Sequence, residues 1–376
     1  MKIRSKTREN NFHVIIIVED IEETFMASSD IWIRIKAIIN AHKALIITRS
    51  MRIQKLVYPV PCILLPGGNE RGGSAAFLFS CLLLLPFIRC NIIYIAEISA
   101  CPVTLLVRRK KKKIICYGNT HPSQYGEIRL RGFKGKIAKF IYLSLYRIAI
   151  RKIDRIFAIS NYLRDFYCSL GATSVIVLPI GVDLSLFGQV TRQRDDTFRC
   201  IYIGSLTPAR GEREILQAAQ IVSRELPCFK LRFVGISEGK KQQLISQAKV
   251  LGIEQILEIF PPVNHLEIPG HLRSADVGLS FLYPTPYYLF SPPTKVFEYL
   301  AAGIPVIANS IRTHTDYIIH EYNGLITDLD PDHISAAILR LAKDKSLYDK
   351  LASNCRKSAA SFDQEIIMRQ FLKNFS

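Results

Sequence analysis

No two of the nine cysteines (62, 81, 90, 101, 116, 168, 200, 228, 355) stand as C-x-x-C, and their number is odd. This scatter excludes a zinc ribbon or a disulfide framework and points to reduced thiols in a cytosolic chain. No apolar run reaches the ~18 residues of a membrane span. The longest, SAAFLFSCLLLLPFI (74–88), is 15 uncharged residues with Arg71 and Arg89 outside it, and it predicts a buried or interfacial helix. The start, MKIRSKTRENNFHVIIIV, lacks the long apolar region and small-residue cleavage site of a signal peptide, so none is expected. Neither G-x-G-x-x-G nor G-x-x-x-x-G-K-[ST] occurs, which argues against a dinucleotide dehydrogenase or a P-loop enzyme. No Ser-His-Asp or Cys-His arrangement is legible. Repeats and low-complexity tracts are absent apart from RRKKKK (108–113).

What is present is a globular composition, 49% hydrophobic over 376 residues, long enough for two domains at roughly 150 residues each. The net charge of +18 is uneven: residues 1–190 hold 28 Lys+Arg against 12 Asp+Glu (+16), and residues 191–376 hold 22 against 20 (+2). The two halves therefore face different partners. Short β-branched runs recur at 13–17, 44–48, 91–96, 113–117, 155–160 and 174–179, with helical segments between them. Strands separated by helices imply right-handed crossovers and a parallel sheet. The polar stretch GQVTRQRDDT (188–197) reads as a linker, and the pattern then restarts with strands near 199–206, 230–235, 256–261, 275–282 and 323–327. The expected division is 1–190 and 191–376, each Rossmann-like, with a C-terminal helix able to pack back on the first. Ligands of open α/β sheets bind beyond the C-terminal strand ends, so two such sheets facing each other would enclose a cleft.

Three segments carry the chemistry. YIGSLTPARGEREI (202–215) puts Gly204 at a strand end, where a missing Cβ lets backbone approach a ligand, and then offers Arg210 and a helix N-terminus, both suited to phosphate. KLRFVG brings Gly235 to the end of the next strand. SPPTKVFEYLAAGIPVIA (291–308) predicts a helix capped by Ser291, opened by Pro292 and Pro293, and closed by Gly303. Its apolar stripe is Val296, Phe297, Leu300 and Ala301, which leaves Lys295, Glu298 and Tyr299 on another face. By spacing alone Lys295 and Glu298 form an (i, i+3) surface ion pair.

These motifs, in this order and together with AISNYLRDFYCSLGATSVIVLPIGVDLSLF (158–187), closely resemble the retaining glycosyltransferases of family 4, which have the GT-B fold. The resemblance runs from about 153 to 362; before that it is architectural only. It implies an α/β GT-B architecture with two Rossmann-like parallel-sheet domains about a central cleft. It also implies a UDP- or GDP-linked sugar donor against the C-terminal domain and a glycan or lipid-linked acceptor against the N-terminal one. No metal and no further cofactor are expected. In the family a basic residue after the first glycine and a Lys before the second hold the diphosphate; here Ser205 replaces the first and Arg210 fills the second. Glu298 matches the glutamate that accepts both ribose hydroxyls. A second glutamate eight residues earlier is replaced by Phe290, which implies either a variant site lined by Ser291, Thr294 and Lys295 or a loss of activity. His121, in CYGNTHPSQYGE, matches a histidine that meets the donor sugar, and with Arg210 it is the expected catalytic group. Asp183 is expected to shape a turn. The D-x-D at Asp328 and Asp330 is expected to cap a helix rather than hold a metal.

Residues 129–155 mix nine basic side chains with Phe133, Phe140, Tyr142 and Tyr146 over a helix. One reading is a core-packed helix with a solvated basic side. The other is attachment to an anionic membrane, at about 1 kcal/mol per basic residue near the surface. That placement would put the chain on the inner face of the plasma membrane, where bacterial surface polysaccharides are assembled. The rivals are a sugar-nucleotide epimerase of the same fold and a non-enzymatic nucleic-acid- or membrane-binding protein. Nucleic acid is disfavoured because no RRM, KH or helix-turn-helix signature is present and the second half is nearly neutral.

Overall fold

The computed structural model describes residues 11–18, 20–22, 30–48, 50–52, 60–65, 80–81, 83–85, 88–107, 112–119, 133–191, 193, 195–285 and 288–375. His121 and most of the apolar run 74–88 lie outside the described residues. The chain divides into two compact units, 1–179 with 368–376, and 180–367. The division falls ahead of the 190/191 boundary expected from the polar linker. Val182, Phe187 and Val190 are the cause, because all three are buried in the core of the second unit.

The first unit contributes strands β1 (Asn11–Ile17), β2 (Asp20–Glu22), β3 (Ala44–Thr48), β4 (Ser50–Arg52), β5 (Cys62–Leu64), β6 (Arg89–Ile95), β7 (Lys113–Gly118), β8 (Arg155–Ala158) and β9 (Val175–Val177). Seven of them form a sheet in the order β5-β3-β1-β6-β7-β8-β9, parallel throughout. Val14 to Ile17 of β1 are fully buried, as expected for a central strand covered on both faces. The six expected runs all form strands, and β2, β4 and β5 are additional. Helices α1 (Asp30–Ala41), α2 (Phe133–Ile150) and α3 (Asn161–Ser169) belong to this unit. Ser160 caps α3 by accepting from the Leu163 N–H, and Gly171 follows the helix end at φ +92°.

The second unit holds α4 (Leu184–Phe187), β10 (Phe198–Ile203), α5 (Glu212–Glu225), β11 (Phe229–Val234), α6 (Glu238–Leu251), β12 (Leu257–Phe260), α7 (Ile268–Leu272) and β13 (Val277–Ser280). It continues with α8 (Thr294–Ala301), β14 (Val306–Asn309), α9 (Arg312–Thr315), β15 (Gly324–Thr327), α10 (Pro331–Lys343) and α11 (Lys345–Ala359). Its six parallel strands run in the order β12-β11-β10-β13-β14-β15. This is the doubly wound Rossmann order, with the strand sequence reversing between β10 and β13. The apolar side chains of β10 alternate between the two cores: Cys200 and Tyr202 enter one, Ile201 and Ile203 the other.

The last helix, α12 (Gln364–Leu372), starts in the second unit, and the chain finishes in the first. There Phe371 and Phe375, both fully buried, meet the ring of Tyr94 with centroids 5.5 and 5.6 Å away, and Phe371 also meets Phe157 at 5.1 Å. Lys113 Nζ donates to the Asn374 carbonyl at 2.8 Å. These contacts close the core of the first unit with residues distant in sequence.

Candidate functional site

Ligands of a doubly wound sheet sit beyond the strand ends where the order reverses. In the second unit that place lies between β10 and β13, and the sequence puts bare backbone beside it. Gly204 follows β10 at φ +100° and Gly235 follows β11 at φ +97°, conformations that side chains rarely adopt. A Cβ on Gly235 would stand 3.2 Å from the Gly204 Cα, so the two turns need both glycines to lie against each other.

Two cations converge on this floor. A Cβ built on Gly204 would lie 4.0 Å from Arg210 Nη1 and 4.0 Å from Lys295 Nζ. Arg210 is held from two sides: Nε donates to Tyr288 Oη at 3.1 Å and Nη1 to the Ser205 carbonyl at 3.0 Å. Ser205 thus contributes its backbone, and the same carbonyl accepts from Tyr202 Oη at 3.1 Å. Tyr288 is fixed in turn, because its carbonyl accepts from Thr313 Oγ1 at 3.0 Å. The loop leading to it is anchored where Asn309 exchanges two hydrogen bonds with the Leu282 backbone, at 3.0 and 2.8 Å. Lys295 places Nζ 3.3 Å from the centroid of the Tyr202 ring. Among the described residues neither Arg210 nor Lys295 forms an ion pair. Burial, and then the Arg210 charge, push the Lys295 ammonium well below its ordinary pKa, against the opposing pull of Glu298.

Helix α8 begins at Thr294 with Pro293 at the N-cap, two residues later than the sequence implied, so Ser291 is not its cap. The fixed φ of the two prolines suits the entry, but their extended backbone stays outside the helix. Thr294 is exposed and Ser291 half-buried. Glu298 is buried at 5% exposure and does not pair with Lys295. Its Oε1 instead meets His265 Nε2 at 2.9 Å. That hydrogen bond raises the His265 pKa against the opposing effect of burial. His265 opens a 3-10 turn after β12, fixed by a reciprocal cap between Asn264 and Glu267, and its ring lies 5.2 Å from that of Phe187.

Tyr299, expected on a face other than the apolar stripe, is fully buried. Its hydroxyl accepts from the Ile203 N–H at 3.0 Å and donates to the Ile201 carbonyl at 3.3 Å. The ring fits only because residue 278 is glycine; a Cβ there would overlap it. This brace locks α8 to the end of β10 and so sets where Lys295 and Glu298 stand. The β-branched runs and glycines indicated the strand ends, while Arg210, Lys295 and Glu298 came forward only through the resemblance. His265 was missed, although NHLE reads as a capping box directly after a strand.

Phe290 is buried at 4% exposure, an apolar side chain where the family pattern has a carboxylate. Asp183 caps α4 by accepting from the Ser185 and Leu186 N–H groups. Asp330 caps α10 in the same way, accepting from Asp332 and His333. Both therefore do the turn and cap work expected of them. Among the described residues no group of three or more His, Cys, Asp or Glu side chains could hold a metal ion.

Comparison with known proteins adds the family. Curated relatives include D-inositol 3-phosphate glycosyltransferases of Arthrobacter sp., 27% identical over 181 residues (45% of this chain, 40% of that protein), and of Geodermatophilus obscurus, 27% identical over 207 residues (50% and 44%). The chain thus spans less than half of the length of these relatives. Solved structures with the same fold include Anabaena HepE in complex with UDP, with TM-score 0.74, 15% identity, and 96% of this chain and 99% of that one covered. A sucrose-phosphate synthase from Thermosynechococcus elongatus also matches, with TM-score 0.71, 15% identity, and coverage of 96% and 98%. The family model for glycosyltransferase family 4 matches residues 35–186, and the model for glycosyl transferases group 1 matches residues 187–358, which contain every element of the site above. The chain belongs to the group 1 glycosyltransferases and has their GT-B fold.

Proposed function

We propose that this protein moves a sugar from a UDP- or GDP-linked donor to a glycan or lipid-linked acceptor, with retained anomeric configuration, in the assembly of a bacterial surface polysaccharide. The observation that carries the reading is the convergence of Arg210 and Lys295, neither in an ion pair among the described residues, on the bare backbone of Gly204, with the buried Glu298 one helical turn beyond Lys295. Two cations beside bare glycine backbone suit a diphosphate, and an acceptor-only carboxylate suits a vicinal diol such as ribose. HepE was solved with UDP and glucose, which supports the same donor class here.

In this reading Arg210 and Lys295 stabilise charge on the departing diphosphate. The acceptor hydroxyl attacks on the face the leaving group vacates, and a phosphate oxygen takes its proton. Gly235 and Ser205 supply backbone to the nucleotide, Ser291 and Thr294 line the sugar side, and His121 orients the sugar.

A membrane-facing acceptor domain is supported by α2. Its Phe140, Ile141, Leu145 and Ile148 are exposed, as are Arg147 and the following Arg151, and no acidic residue occurs from 128 to 153. Exposed apolar groups flanked by basic ones suit an anionic bilayer surface. No helix among the described residues is long and apolar enough to cross a membrane.

Purified protein incubated with UDP- and GDP-sugars, with and without a membrane lipid extract, should release nucleoside diphosphate faster when the extract is present. Absence of release from every common donor would sink the transferase reading, and an isomerised sugar nucleotide without acceptor would replace it with an epimerase. Flotation with anionic but not neutral vesicles checks the surface.

A further inference from the structure

We propose that donor binding at this site is coupled to proton uptake at Lys295, so that affinity for the nucleotide sugar falls as the pH rises. The inference rests on the donor reading above and concerns how the site is charged before and after the diphosphate arrives.

Lys295 and a second cation, Arg210, converge on the turn at Gly204. Lys295 Nζ and Arg210 Nη1 lie at equal distance, 4.0 Å, from the position of a Cβ on Gly204. Arg210 stays charged at any working pH, so the lysine is the member of the pair able to give up its proton. The groups facing it do little to prevent that. On its own helix Glu298 is the one carboxylate that favours the ammonium, and its Oε1 already meets His265. From β10 the Tyr202 ring offers its π face at 3.3 Å, which also favours a cation. Yet the Tyr202 hydroxyl is pushed up to about 12 by burial and stays neutral. The Tyr299 hydroxyl, likewise raised by burial, is engaged with backbone. Tyr288 sits behind Arg210, its hydroxyl accepting from Arg210 Nε at 3.1 Å. His314 is held neutral by burial, with its pKa pushed down to about 4, and supplies no negative charge. Burial and Arg210 therefore outweigh Glu298, and before the donor binds the ammonium gives up its proton more readily than an ordinary lysine.

A donor diphosphate reverses this balance. Its negative charges arrive within reach of both cations, restore the ammonium, and draw one proton from solvent for each donor bound. In the pH window between the two Lys295 pKa values, donor-free and donor-bound, affinity then falls by up to tenfold per pH unit. Ser205 has no charge to share in this site, so the coupling falls on Lys295. The ribose end works in the opposite sense: if its hydroxyls take over Glu298, His265 loses the partner that raises its pKa and tends to release a proton.

Isothermal titration of the full chain with UDP-glucose and with GDP-mannose, between pH 7 and 9.5, tests the coupling. The diphosphate of both ligands is esterified at each end and does not titrate in this range. Repeating each titration in buffers of low and high ionisation enthalpy reads the protons taken up. The expected result is a net uptake approaching one proton in part of this range, with affinity falling as the pH rises. Lys295→Arg should bind with no uptake and a flat pH profile. Lys295→Met should bind about tenfold or more weakly, also without uptake. His265→Gln should keep the uptake while removing any release from the Glu298 pair. Binding enthalpies independent of the buffer throughout the range, or uptake that persists in Lys295→Arg, would overturn the coupling and leave the donor reading intact. Failure of UDP, GDP and both sugar nucleotides to bind at all would overturn the donor reading and this inference together.

Discussion

Glu298 shows how one side chain changes meaning with its surroundings. On a helical wheel it pairs with Lys295; in the fold it is buried, turned to His265 and one turn from two converging cations. Glu298→Gln keeps the shape and one acceptor oxygen but removes the charge. It should weaken nucleotide binding by about 1.5–3 kcal/mol, roughly ten- to a hundredfold, with little change in melting temperature. Titration with UDP and GDP checks the affinity, and melting curves of the ligand-free protein check the stability. His314 sets a different limit. Its Nδ1 donates to the Asn309 carbonyl at 3.1 Å and its Nε2 accepts from Ser280 Oγ at 3.0 Å, so the neutral ring satisfies both partners. Burial holds its pKa at about 4, below the ordinary 6.5. Above pH 6.5 both folded and unfolded chains carry the neutral ring and nothing is lost. As the pH falls toward 4 the unfolded chain takes the proton first, and stability should drop by up to about 3 kcal/mol. Denaturant titrations at pH 7 and pH 4.5 of the protein and of His314→Gln should show the variant losing less.

At the scale of elements, the site depends on how α8 is fastened to β10. Gly278→Ala would drive a methyl group into the Tyr299 ring, shifting the helix that carries Lys295 and Glu298. The expected cost is about 1–3 kcal/mol from overpacking, together with weaker nucleotide binding, whereas Tyr299→Phe keeps the ring and leaves the buried Ile203 N–H without its acceptor. Melting curves paired with nucleotide affinity separate the two effects. Most of the parallel sheets was legible because buried strands read as β-branched runs, and β1 is the clearest example. The start of α8 was misplaced because the two prolines favour both a helix's first turn and the extended lead into it. The burial of Glu298 and Tyr299 was hidden because periodicity assumes that a helix has one dry face, while α8 is covered on nearly every side from Val296 to Ala301. His265 acquires its partner across 33 positions of sequence, a separation that no local pattern encodes. The same holds for the boundary between units, where a polar linker drew attention away from the apolar Val182 and Phe187 just before it.

For the molecule as a whole, the final residues have weight out of proportion to their number. Phe371 is fully buried against Tyr94, Phe157 and Phe375. Phe371→Ala should therefore cost about 3–5 kcal/mol. Equilibrium unfolding should show the loss in the first unit, with nucleotide binding by the second unit largely retained. The chain leaves the first unit at Pro179, builds all of the second, and returns at Met368. In terms of synthesis, the second unit has all of its sequence before the first does. A ribosome adding roughly 5–20 residues per second would expose an incomplete first unit for many seconds, with the places of Phe371 and Phe375 still unfilled. A released chain truncated after residue 367 should accordingly hold a protease-resistant second unit joined to a first unit that is still readily cleaved.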